Sequence, residues 1–165
     1  MEGLIAVSVA RLQKDDYSDE QRSAALGVIF GVDNQLVRDG TYLLAEVDGA
    51  LVGCGAWSQR SNPFGCDNVP GKDDSLLNPA KDAARMRGFF IHPDWSRRGI
   101  GSSILRECEA RAAAAGYQRA ELTSTLTGIA LYLAHGYTIH SRYEISMVGG
   151  IPLPVAPMSK SFSGT

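Results

Sequence analysis

The sequence predicts a single α/β (α+β) domain over residues 1–165, with a mixed sheet covered by helices on both faces. Asp48-Gly49 joins two strand-like runs, Thr41 to Val47 and Ala50 to Trp57, and this dipeptide tolerates the positive φ angles of a tight hairpin. From Arg85 to Val148 apolar strands alternate with segments of helical period, and helices that cross between strands cover both faces of a sheet. A chain of 165 residues, 44% hydrophobic and 21% charged, suits one core.

Element by element, Leu4 to Leu12 alternates weakly and predicts a strand. Apolar residues at Ala24, Ala25, Val28 and Ile29 predict a helix over Ser18 to Phe30, and a second short helix is expected over Val32 to Arg38. After the hairpin, Gln59 to Asp82 turns rich in Asn, Pro, Gly, Asp and Lys without a period. A loop this long in a compact domain is usually functional, and it is expected to form a lid near a substrate. Arg85 to His92 predicts a strand that Pro93 ends, because proline has no N–H for the ladder. Ile100, Ile104, Leu105, Cys108, Ala112 and Ala115 share one side of a helix that stops at Gly116. A strand (Arg119 to Thr123), a short helix (Thr127 to Ala134) and a strand (Tyr137 to Val148) follow, and Gly149-Gly150 turns the chain back. Pro152, Pro154 and Pro157 predict that Ile151 to Phe162 is an edge strand or a partly extended arm.

A formal net charge of -2 supplies no general basic surface, so neither nucleic acid nor membrane is an expected partner. Met1 to Ala10 lacks a basic leader, and no run approaches ~18 apolar residues, so a cytoplasmic protein is expected. Cys54, Cys66 and Cys108 lack CxxC spacing and read as reduced, buried thiols. His92, His135 and His140 form no tight ligand set with Cys or Asp, and no metal is expected.

The chemistry concentrates in Phe89-Phe90-Ile91-His92-Pro93-Asp94-Trp95-Ser96-Arg97-Arg98-Gly99-Ile100-Gly101-Ser102: an apolar strand, a turn, two arginines and a glycine pair opening an amphipathic helix. The first-turn N–H groups of a helix have no intrahelical partner and favour an anion. Gly99 and Gly101 keep side chains out of its way, and Arg97 and Arg98 can pair with phosphate oxygens. The pattern suits a pyrophosphate; its plainer alternative is a glycine-opened helix with solvated arginines. Ile104 stands where a Rossmann fingerprint needs its third glycine, and the Gly-Lys-Ser/Thr of a P-loop is missing.

Ser96-Arg97-Arg98-Gly99-Ile100-Gly101 resembles the acetyl-CoA motif of the GNAT N-acetyltransferase superfamily. Glu121-Leu122-Thr123-Ser124-Thr125-Leu126-Thr127 and Ala130-Leu131-Tyr132-Leu133-Ala134-His135-Gly136-Tyr137 look like that family's later strand and its LYxxxGY/F helix. The resemblance spans Arg85 to Tyr137 and implies one GNAT-like domain with a mostly antiparallel sheet of about six or seven strands. It implies acetyl-CoA as co-substrate and transfer of the acetyl group to a primary amine of a small molecule or peptide, by direct attack in a ternary complex. Ser96 departs from the Gln or Arg often found at the first motif position, and Thr125 sits near where many relatives have Asn.

Carried over residue by residue, the strand matching Arg85 to His92 splays from its neighbour, so Phe89, Phe90 and Ile91 are expected against the pantetheine arm. A backbone N–H there is expected to hold the developing oxyanion. Arg97, Arg98, Gly99, Ile100, Gly101 and Ser102 map to the pyrophosphate, and Thr125 to a further cofactor contact. Tyr132 maps to the acid that returns a proton to the thiolate; Glu121 is the first candidate for the amine's base, ahead of Glu46, His92 and Asp67. Taken alone, Tyr132 would be a core aromatic and Glu121 an exposed strand end. The alternatives are a coenzyme A-binding sensor or interaction module of the same fold, or an acyltransferase using another acyl chain or a hydroxyl acceptor. Trp57, Arg60 and Phe64 are expected on the acceptor side, Arg85 and Arg87 on one side of their strand, and the proline-rich arm is a candidate homodimer contact.

Overall fold

In a computed structural model, which describes residues 1–162, the chain opens with a helix, α1 (Glu2–Leu12), where alternation predicted a strand. Its buried residues are Leu4, Ile5, Ser8 and Val9, a spacing that makes one helical face; of the alternating Ile5, Val7 and Val9, only Ile5 and Val9 belong to it. Helix α2 (Asp19–Ala25) starts at a capping box, Ser18 with Gln21. It stops five residues short of Phe30, because Leu26 leaves helical geometry and Gly27 turns left-handed at φ 84°. Helix α3 (Asn34–Arg38) is capped by Asp33, whose carboxylate accepts from Gln35 N–H at 2.9 Å.

Strands β1 (Tyr42–Val47) and β2 (Ala50–Ser58) form the expected hairpin, with Asp48 and Gly49 at φ 49° and 79°. Then come β3 (Ala84–Ile91), a 3-10 turn (Pro93–Trp95), α4 (Ile100–Ala114), β4 (Arg119–Thr125) and α5 (Ile129–Ala134). Strands β5 (Thr138–Ile139), β6 (Tyr143–Ser146) and β7 (Pro152–Ser161) complete a seven-stranded sheet. Its order is β1-β2-β3-β4-β7, with β5 and β6 both on the outer edge of β7; only β3 and β4 run parallel.

The proline-bearing β7 is therefore an interior strand, not the edge or arm its prolines predicted. His140 N–H donates to the Pro157 carbonyl and Met147 N–H to that of Ile151, so the odd residues of β7 face β5 and β6. Pro157 has no N–H to return there, and the ladder breaks opposite it: four steps from Ile139 to Tyr143 span three from Met158 to Val155. This break divides the single strand expected over Tyr137 to Val148. Pro152 and Pro154 face the other way, beyond the point where β4 ends at the Thr125–Val155 pair, so no ladder bond is lost. Their carbonyls accept from Gln21 Nε2 at 2.9 Å and Tyr17 Oη at 2.6 Å instead.

Each face of the sheet carries its own apolar cluster. Ile104, Leu105, Cys108 and Ala112 of α4 pack with Met86, Leu122 and Tyr132 on one face. Leu4, Ile5 and Val9 of α1 pack with Phe30, Phe90 and Leu153 on the other.

Candidate active site

The sheet is open at its middle. Strands β3 and β4 pair only at Ala84–Ala120 and Arg85–Glu121, after which β3 follows β2 and β4 follows β7. A cavity of about 720 Å³ runs through this gap, from the start of α4 on one face to a chamber under α1, α3 and the 59–83 loop on the other.

A bulge in β3 orients its wall. Two steps in β2, Cys54 to Ala56, face three in β3, Phe90 to Arg87, and Gly88 takes φ 66°. The extra residue reverses the alternation: Met86 packs on the α4 face and Phe90 on the α1 face, while Phe89 and Ile91 turn to α4. Gly88 and Phe89 fall outside the ladder register, at the rim of the gap.

At the α4 end of the cavity, Gly99 caps α4 with φ 83° and no side chain. The first intrahelical bond is Ser103 N–H to Gly99 O, 3.0 Å, so the N–H groups of Ile100, Gly101 and Ser102 have no helical partner. Arg97, at φ 62°, lines the cavity with Ser96 and the 99–102 backbone. Arg98 does not; its guanidinium stacks over Trp95, 4.9 Å from the ring centroid. Ser96 Oγ donates to the Pro93 carbonyl at 3.0 Å, and Ser102 Oγ lies 2.8 Å from His135 Nε2. Thr125 lines the cavity, and its Oγ1 accepts from Gly128 N–H at 3.1 Å.

Tyr132 stands in the wall on the α4 face, its ring edge-on to Phe89 (centroids 6.0 Å apart) and Tyr137 (5.7 Å). Burial, with a smaller contribution from the Cys108 thiol, holds its phenol well above the ordinary value, so it is a neutral hydroxyl at pH 7. Glu121 lies elsewhere: it forms an ion pair with Arg85 and, half-exposed, borders a separate hollow of about 240 Å³ with His140 and Pro63.

The chamber contains groups for which the motifs gave no signal. Ser8 of α1 and Gln13, at its C-cap, line it, with Gln13 Oε1 buried and unpartnered among the described residues. Asp33, 1% exposed, accepts from Lys72 Nζ at 2.7 Å on one oxygen and from Arg87 Nη1 at 2.8 Å on the other. Burial alone would raise its carboxyl pKa; the Lys72 hydrogen bond and the Arg87 charge override that and hold it below the ordinary carboxylate value. Arg87 Nη2 also donates to the Gly65 carbonyl, so the long loop is fastened over the chamber, and Phe64 lines it as expected. Arg60 instead pairs with Asp39 at 2.8 Å, and Trp57 packs under α4. Both arginines of β3 are ion-paired. Among the described residues no cluster of His, Cys, Asp or Glu could hold a metal ion, and no helix is long and apolar enough to cross a membrane.

The sequence model of the acetyltransferase (GNAT) domain matches residues 38–139. No curated protein matches the chain. Among solved structures, the fold is similar to a GCN5-related N-acetyltransferase from Rhodopseudomonas palustris, with TM-score 0.70 and 22% identity over 98% of this chain and 87% of that one. It is also similar to the PaiA N-acetyltransferase of Thermoplasma acidophilum, in complex with coenzyme A (TM-score 0.64, 16% identity, 98% and 90% covered). A third is YncA of Salmonella typhimurium, a putative acetyltransferase with its cofactor acetyl-CoA (TM-score 0.62, 13% identity, 99% and 87% covered). With a domain match over most of the chain and the sheet opened between β3 and β4, this protein belongs to the GNAT acetyltransferase family.

Proposed function

We propose that this protein moves the acetyl group of acetyl-CoA to the primary amine of a small molecule or peptide by direct attack in a ternary complex. The observation that carries this is the continuity of one cavity through the sheet, which gives donor and acceptor a chamber each on opposite faces of β3. Bound acetyl-CoA would supply the thioester. The free N–H groups of Ile100, Gly101 and Ser102, with Arg97, suit its pyrophosphate, and the open edge of Phe89 to Ile91 suits its pantetheine amides. The PaiA and YncA structures, with coenzyme A and acetyl-CoA, support the same donor.

The backbone at Gly88 and Phe89, outside the ladder, suits an oxyanion, and the neutral Tyr132 hydroxyl suits a proton source for the departing thiolate. None of the three cysteines lines the cavity, and burial pushes the Cys54 thiol up to about 11 and the Cys108 thiol up to about 12, so a cysteine acyl-enzyme has no nucleophile here. The test is coenzyme A release from acetyl-CoA against small amines, polyamines, amino acids, aminoglycosides and peptides. Release with an amine supports transfer; tight coenzyme A binding without release across the panel leaves a binding module.

A further inference from the structure

We infer that the acceptor is a small monoamine with an apolar body, and that the chamber selects against a second cationic group. This rests on the acetyltransfer proposal and deepens it. Ile29, Phe30, Leu36, Phe64, Ile145 and Val155 give the chamber an apolar wall. Asp33 is the one carboxylate among the described residues that line the cavity, and both its oxygens are taken by cations of the protein. Its side chain is 2% exposed and that of Arg87 4%, so the pair is sealed into the wall.

Polyamines and aminoglycosides carry several ammonium groups. Each one beyond the reacting nitrogen would leave water for a chamber with no free counter-charge, next to Arg87, and burial of an unpaired charge is heavily penalised. What the chamber does offer an amine is neutral: the unpartnered acceptor Gln13 Oε1 and the hydroxyls of Ser8 and Tyr42 stand on its lining residues. These groups suit one uncharged nitrogen, the form that attacks a thioester. The aromatic and branched wall suits the carbon body behind it.

The experiment compares matched pairs, hexylamine against 1,6-diaminohexane and phenethylamine against 4-(aminomethyl)phenethylamine. Turnover is followed as coenzyme A release, and binding by calorimetry on the protein saturated with coenzyme A. The expected result is a preference of at least about tenfold for each monoamine in kcat/KM and in Kd. Arg87→Met and, should that variant not fold, Lys72→Met each free one side of Asp33, and the preference is expected to move toward the diamines by about tenfold or more. Diamines, aminoglycosides or peptides turned over as well as or better than the monoamines overturn the inference while leaving acetyl transfer standing. Selective binding of monoamines without release does the reverse. A preference unmoved in a folded variant overturns the role given to the Asp33 ion pairs.

Discussion

Gly88→Ala is the sharpest perturbation of the site, because its cost has two separable parts. The residue holds φ 66°, where a side chain costs ~1–2 kcal/mol. A Cβ there would also lie 2.6 Å from Tyr42 Oη and 3.3 Å from its Cζ, so the phenol must withdraw, and overpacking of this kind costs ~1–3 kcal/mol. The expected loss is about 2–5 kcal/mol in urea unfolding at neutral pH. Tyr42→Phe deletes the atom at 2.6 Å and leaves a 3.3 Å contact with the ring carbon, which the ring must still relieve by a small shift. The double variant should therefore recover most of the overpacking component and keep the strain, a favourable coupling of ~1–3 kcal/mol. Because Gly88 and Phe89 form the bulge that presents backbone to the gap, Gly88→Ala should also lower kcat by about 10²–10³ under conditions where it is fully folded. Single-variant losses that add within ~0.5 kcal/mol would refute the claim that the phenol fills the space left by the glycine.

Tyr132→Phe should reduce kcat ~10²–10⁴-fold while calorimetric coenzyme A affinity holds, and an unchanged kcat would remove the hydroxyl from the chemistry. Asp33→Asn should lose ~3–5 kcal/mol at neutral pH, because it leaves Arg87 buried without its counter-charge and Lys72 with only the more distant Asp67 and Asp74 carboxylates. The folded carboxyl titrates below the unfolded one, so the wild-type advantage is complete above pH ~4 and disappears as pH falls through the folded value. Urea curves in which the two proteins differ equally at pH 7 and at pH 3 would contradict that. Glu121→Gln separates a base from an anchor: with its carboxylate on Arg85 and outside the main cavity, the pH profile of kcat/KM should keep its shape. Loss of the limb attributed to amine deprotonation would restore Glu121 to the chemistry.

The start of α4 and the hairpin were legible because their signals are local. Gly99 and Gly101 announce a helix start free of side chains, and Asp48-Gly49 states a hairpin, each through backbone chemistry that neighbours in sequence determine. The errors arose where distant partners decide. Pro152, Pro154 and Pro157 spell an edge until it is known that β4 stops at Thr125 and that the edge of β7 is interrupted at Pro157. Leu4 to Leu12 shows alternation or helical spacing according to whether Val7 or Ser8 is counted as inward, and packing on β3 chooses Ser8. The chamber on the α1 face was least legible: Asp33, Lys72 and Arg87 are spread over 54 residues, and a charged residue in each of three segments is ordinarily a solvated one. Strand parity did place Arg87 beside Arg85 on one side, but not the carboxylate that meets it.

The buried Asp33 cluster also bears on why the site has its shape. An ion pair sealed from water is a weak source of net stability, since desolvation offsets most of the attraction, and apolar residues of equal volume would often do as well. What apolar residues would lack is direction. Asp33 caps α3, Arg87 stands immediately before the bulge residue Gly88, and Lys72 with the Gly65 carbonyl brings in the long loop, so one carboxylate and one guanidinium join three segments at defined atoms. Fixing Arg87 on the α1 face fixes where the extra residue of β3 falls, and with it the turn of Phe89 toward Tyr132 on the opposite face. If the chamber takes the acceptor as proposed, the cluster that closes it to a second charge also holds the register of the strand on the proposed donor side, which couples selectivity on one side of the sheet to geometry on the other.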